Sequence, residues 1–134
     1  MTSVVIDSSV AVAWLMPDEQ PDFLKATLEN DAFLDCVAPH LFWFELRNVL
    51  LVNERRERLT PSQRVEALSL LSSLPIRLAE LSDDAISFAL ARKHNLTFYD
   101  ASYLALAIEE GASIATFDKR LKKAALAEGV AVLG

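Results

Sequence analysis

Apolar residues in this chain fall into short blocks that switch between two rhythms. Val4-Val5-Ile6 is a continuous apolar run, the pattern of a strand covered on both faces. From Val10 to Leu15 the spacing predicts a helix, with Ser8 or Ser9 able to cap it and Pro17 ending it. A second helix is expected near Pro21, with Phe23, Leu24, Thr27 and Leu28 as its apolar stripe. Asp35 to Ala38 reads as a second strand. Pro39 reads as an early position of a long helix that reaches about Arg58.

The second half repeats the alternation. Thr60-Pro61-Ser62-Gln63 has the capping-box pattern, and Val65, Leu68, Leu71 and Leu74 continue the helix until Pro75. Ile76, Leu78 and Leu81 mark a third strand. Ser82 is expected to cap the next helix, with Asp83 and Asp84 in its first turn and its end near His94. A helix over Ala101 to Glu110 stops at Gly111. Ser113 to Thr116 is a fourth strand, Lys119 to Glu128 a helix stopped at Gly129, and Val130 to Leu133 a fifth strand. Strands alternating with helices define the α/β class. The expected architecture is a three-layer α/β/α sandwich around a mostly parallel five-stranded sheet, with residues 1–134 forming one domain.

Composition narrows the function classes. Hydrophobic residues make up 52% of the chain, enough for a packed core. No apolar run approaches the ~18 residues of a membrane helix, and the N-terminus lacks the basic and apolar stretches of a secretory signal. The expectation is a soluble cytoplasmic protein. Cys36 stands alone in an apolar context and reads as a small core residue. His40 and His94 have no spacing partners, which disfavours zinc. Three glycines leave no room for a phosphate-binding glycine loop.

Four separated acids remain: Asp7, Glu45, Asp100 and Asp118. Asp7 and Asp118 each fall just past a strand's carboxyl end, where open parallel sheets bind ligands. Glu45 interrupts Leu41-Phe42-Trp43-Phe44, and Asn48 lies one turn further on the same face. Asp100 opens a helix, where a simple N-cap is the competing explanation. Glu45 alone would read as a residue reaching for solvent or for a distant Arg. As a set, acids in apolar surroundings call for a cation, and carboxylates suit Mg²⁺ or Mn²⁺. Such a cluster supports metal-assisted hydrolysis of a phosphodiester. The net charge of −6 opposes nonspecific nucleic-acid binding by the whole surface. The cluster Lys119, Arg120, Lys122 and Lys123, directly after Asp118, is the local exception.

These residues resemble the PIN-domain ribonucleases, in particular the VapC-type toxins of toxin–antitoxin pairs. The likeness rests on Val5-Ile6-Asp7-Ser8-Ser9, Glu45-Leu46-Arg47-Asn48, Tyr99-Asp100-Ala101-Ser102-Tyr103 and Thr116-Phe117-Asp118-Lys119-Arg120, in that order. It implies a sheet of order 3-2-1-4-5, a homodimer and a Mg²⁺-dependent endoribonuclease that leaves 5′-phosphate and 3′-hydroxyl ends. It also implies Asp7 and Asp100 as main metal ligands, with Glu45 and Asp118 completing the pocket. Thr116 and Ser8 or Ser9 would hydrogen-bond the carboxylates or a phosphate. Arg120 stands where many relatives carry another acid. Lys119, Arg120, Lys122 and Lys123 would steer the RNA backbone. The implied partner is an antitoxin that covers the site, inserting an Arg or Lys, with Trp14, Leu15, Phe23 and Leu24 as candidates for part of the contact surface, core packing being the favoured reading of Trp14. Two other readings are a non-catalytic PIN-like binding module and a phosphoacceptor or phosphatase-like domain built on Asp7 and Lys119. The sequence Asp7-Ser8-Ser9, without a second acid beside Asp7, disfavours the latter.

Overall fold

The computed structural model describes residues 2–16 and 34–133. The helix expected near Pro21 lies outside the described residues, as do Phe23 and Leu24. The elements are β1 (Thr2–Ile6), α1 (Ser8–Leu15), β2 (Leu34–Pro39), α2 (Leu41–Arg55), α3 (Pro61–Ser73), β3 (Ile76–Ala79), α4 (Asp84–His94), α5 (Phe98–Glu110), β4 (Ser113–Ala115), α6 (Lys119–Ala127) and β5 (Val132–Leu133). The strands form one sheet of order β3-β2-β1-β4-β5. Every pairing is parallel, with Val5 opposite Val37 on one side and Ile114 on the other.

The chain winds outward from β1 to β3, then returns to place β4 on β1's other edge. Right-handed crossovers put the helices of the two halves on opposite faces of the sheet. The packing agrees: α1, α2 and α3 touch one another, while α4 packs on α5 and α5 on α6. The central strands are therefore covered on both faces, and Val4, Val5, Ile6, Val37 and Ile114 are buried. Cys36 belongs to this core, and burial pushes its thiol up to about 11, which removes it as a nucleophile.

Several local expectations need correction. Pro39 is the last residue of β2, paired with Ala79, and the helix after it begins at Leu41. A strand end tolerates Pro because its missing N–H faces no ladder partner. Ser82 does not cap α4. Asp83 does, accepting from the Ala85 N–H at 2.8 Å, while Ser82 donates to Glu109. Neither Ser8 nor Ser9 precedes α1; both lie in its first turn, and their hydroxyls are used elsewhere. Helix α5 starts three residues earlier than Ala101, with Thr97 as its cap. Leu15 is buried in the core and does not present the open contact surface expected of it, while half-buried Trp14 packs against that core.

The Thr60 capping box is present in full. Thr60 Oγ1 accepts from the Gln63 N–H at 3.1 Å, and Gln63 Oε1 accepts from the Thr60 N–H at 2.9 Å. Thr60→Ala removes one half of this exchange, and urea denaturation should show a loss of about 1 kcal/mol. An unchanged midpoint would mean that α3 is held by packing alone.

Candidate active site

The parallel order reverses between β1 and β4, and the site lies beyond the carboxyl ends of those strands. Asp7 follows β1 directly. Its backbone N–H donates to the Ala115 carbonyl at 2.9 Å, which extends the β1–β4 ladder by one step. Its side chain is only 5% exposed. Although Asp7 occupies the N-cap position of α1, its carboxylate makes no cap bond. It accepts instead from Ser9 Oγ at 2.7 Å and from Thr116 Oγ1 at 2.6 Å, both at Oδ2.

The two hydroxyls act in both directions. Thr116, fully buried, accepts from the Asp118 N–H at 3.0 Å while donating to Asp7. Ser9 accepts from the Phe117 N–H at 3.1 Å. The segment after β4 is thereby laced to the segment after β1 through one carboxylate oxygen. A buried carboxylate without such donors would be strongly disfavoured.

Asp100 is not a helix cap. That duty belongs to Thr97, whose hydroxyl accepts from the Asp100 N–H at 3.1 Å. The Asp100 carboxylate lies in the first turn of α5, where it also interacts with the Thr97 hydroxyl. Its pKa is raised, first by burial and then by the negative charges of Asp118 and Asp7, with the Thr97 hydrogen bond and then Arg120 pulling the other way. Glu45, on α2, accepts from the Tyr103 hydroxyl at 2.6 Å. Its pKa is also raised, chiefly by burial, against the Tyr103 hydrogen bond and with help from Asp7 and Asp100. Asp118 is exposed and caps α6, accepting from the Leu121 N–H at 2.9 Å through Oδ1.

The four acids thus come from four segments and feel one another's charge. Of the supporting residues, Thr116 reaches Asp7, Ser8 hydrogen-bonds the Tyr103 hydroxyl, and Asn48 is exposed one turn beyond Glu45. Sequence reasoning missed Tyr103 as a positioning group. The available signal was a tyrosine three residues after Asp100, in a stripe otherwise made of Leu and Ala. A buried tyrosine hydroxyl needs an acceptor. Tyr103 is fully buried, and both burial and the Glu45 carboxylate hold its hydroxyl protonated.

Among the described residues, no three acidic, His or Cys side chains stand close enough to enclose a metal ion in their present positions. The donor set is nonetheless the right one for a hard divalent cation: four carboxylates, with hydroxyls behind them. Burial first, and neighbouring acids after it, raise the pKa values of Glu45 and Asp100, and a bound cation would favour their charged forms.

A parallel α/β sandwich with acids gathered at its strand switch point is the class of protein that fold and site define. The PIN domain family model matches residues 4–126, and the chain belongs to that family. It is 32% identical over 123 residues to the Ribonuclease VapC3 of Pyrobaculum aerophilum, spanning 88% of this chain and 91% of that protein. Its fold is similar to that of the Rickettsia felis VapBC2 structure bound to a promoter DNA fragment, with a TM-score of 0.73 at 14% identity and 98% coverage of both chains. It is likewise similar to FitAcB from Neisseria gonorrhoeae, with a TM-score of 0.72 at 20% identity, covering 98% of this chain and 96% of that one. Among the described residues, no helix is long and apolar enough to cross a membrane.

The Glu45 environment has a measurable consequence. A carboxyl whose folded pKa is raised binds its proton more tightly in the native state. Its contribution to stability therefore falls as pH rises from the ordinary carboxylate range through the raised folded value. Glu45→Gln keeps an acceptor for Tyr103 and removes the charge. In urea unfolding with EDTA, the variant should gain on the wild type as pH rises across that window. Parallel stability curves for the two proteins would mean that Glu45 is not held in this strained state.

Proposed function

We propose that this chain is a divalent-metal-dependent endoribonuclease that hydrolyses RNA phosphodiester bonds, acting as the toxin of a type II toxin–antitoxin pair. Residues 1–134 would act as one PIN domain, paired as a homodimer, with Mg²⁺ or Mn²⁺ as cofactor and a protein antitoxin as inhibitor. The observation that carries the reading is the fixed carboxylate of Asp7, oriented by Ser9 and Thr116 beside three further acids at the strand switch point. Support also comes from family membership and from the ribonuclease VapC3 likeness.

Asp7, Asp100, Glu45 and Asp118 are the residues that would hold the cation. Bound there, it supplies Lewis acidity and charge neutralisation for a phosphodiester. The chain's own groups divide the remaining work. Asp7 is kept in one orientation by two donors on the same oxygen, a preorganised ligand. Glu45 accepts from Tyr103 at Oε1, which leaves Oε2 to take the proton of an attacking water. Its raised pKa suits that role better than an ordinary carboxylate's would. Arg120, close enough to Asp100 to influence its charge, is placed to meet a phosphate oxygen. The same acids would attract a cationic side chain from an antitoxin.

Cleavage of a generic RNA tests this reading directly. The wild type should cut with Mg²⁺ and stop with EDTA, and Asp7→Asn should be inactive. Thr116→Val keeps the shape but removes the hydroxyl, and should lower activity or metal affinity by roughly 10–100-fold. Independently of activity, Mg²⁺ at about 100 times its dissociation constant should stabilise the wild type by about 2.7 kcal/mol, and Asp7→Asn much less. Cutting that survives both EDTA and Asp7→Asn would rule the proposal out.

A further inference from the structure

A cleft of about 550 Å³ opens between the end of α4 and the outer face of α6. Its lining includes Lys93, Lys119, Arg120 and Lys123, with no acid among the described residues that line it. In a chain of net charge −6, this concave basic strip runs against the overall field. Lys119 and Lys123 lie one helical turn apart, with side-chain roots about 5–6 Å apart. Ala124 and Ala127 line the cleft between the cations, so small side chains leave room there for a chain to lie.

Two contacts fix the walls. Glu128, on the α6 side, accepts from Lys93 Nζ at 2.7 Å and lies 2.8 Å from His94 Nε2, which ties the far end of α4 to α6. Arg120 Nη1 donates to the Asn95 carbonyl at 3.4 Å, which spans the cleft near its other end. Asn95 itself is left-handed, with φ 53°, so the chain turns sharply there. Lys119 and Arg120 lie in the first turn of α6, directly after its cap Asp118, and the Arg120 charge reaches Asp100, so this end of the cleft lies beside the acid cluster.

We propose that the α4–α6 cleft is the track for the sugar-phosphate backbone of single-stranded RNA flanking the acid site, with Lys119, Arg120 and Lys123 as its phosphate contacts. The identity of the strand as substrate rests on the nuclease reading above. The geometry also sorts the basic cluster seen in the sequence, because Lys122 does not line the cleft. A polynucleotide fits better than an acidic peptide. Both are anions, and the acid site beside the cleft discriminates between them only through the chemistry it is built for. A phosphodiester is the group such an acid site is built to receive with its counter-cation.

Fluorescence anisotropy with a labelled single-stranded RNA in EDTA reads binding without cutting. Lys119→Gln/Lys123→Gln and Lys119→Glu/Lys123→Glu should both weaken binding, the reversal by at least about tenfold. The Gln pair should also reduce the slope of log affinity against log salt by about 1.4, the share of two phosphate contacts to a single strand. Lys122→Gln should leave affinity within about twofold of the wild type. Circular dichroism melts establish that the variants are folded; both altered positions are exposed. Unchanged affinity and slope in the folded variants would overturn the proposal. So would an equal loss in Lys122→Gln, or tighter wild-type binding of a labelled polyglutamate peptide than of RNA. If wild-type protein binds RNA through these lysines and never cuts it, the nuclease reading fails and the track stands. If RNA is cut while both variants keep full affinity, the track alone fails.

Discussion

The structure depends on making a buried carboxylate tolerable at the seam between β1 and β4. Asp7 is almost wholly withdrawn from solvent, yet it accepts two short hydrogen bonds on one oxygen. Its two donors, Ser9 and Thr116, come from opposite sides of the strand junction. Each also accepts a backbone N–H from the chain that follows β4. A hydroxyl donates to an acid and accepts from an amide through one and the same oxygen. Those two side chains therefore set both the orientation of Asp7 and the path leading from β4 into α6.

The same economy recurs around the site. Asp118 holds the start of α6 through one oxygen while its charge reaches Asp100. Tyr103 anchors Glu45, and Ser8 in turn contacts Tyr103. Elements from both helical layers are thereby tied to one rim of the sheet: α1 and α2 from one face, α5 and α6 from the other. Two of the acids sit at raised pKa and press on each other electrostatically. Stability given up to crowded charge is a common companion of a functional site.

Much of this was legible in the sequence, for identifiable reasons. Val4-Val5-Ile6 followed by Asp7 placed a strand and a rim acid, because a continuous apolar run fits only a strand covered on both faces. Thr60 to Gln63 declared a helix start through chemistry that is entirely local. Strand order, by contrast, came from likeness to a family, since parallel pairing between β1 and β4 links residues more than a hundred positions apart and leaves no local trace. The errors share a cause. Ser82 and Asp83 are both competent caps, and which one is used depends on Glu109 attracting the serine. Pro39 is acceptable at a helix start or at a strand end, and its pairing with Ala79 decides. Asp100 could have been a cap until Thr97 proved to hold that position. The Tyr103–Glu45 bond joins α5 to α2 and became visible only when the layers were assembled.

The order in which the chain leaves the ribosome gives the β1–β4 seam a further meaning. The innermost strand is synthesised more than a hundred residues before the β4 neighbour that completes it. Until Ser113–Thr116 has emerged, β1 has one open edge and Asp7 lacks half of its hydroxyl support. A nascent chain, or one truncated before that point, has no assembled acid centre. The orientation of Asp7 is thus fixed only once both halves of the sheet have been made.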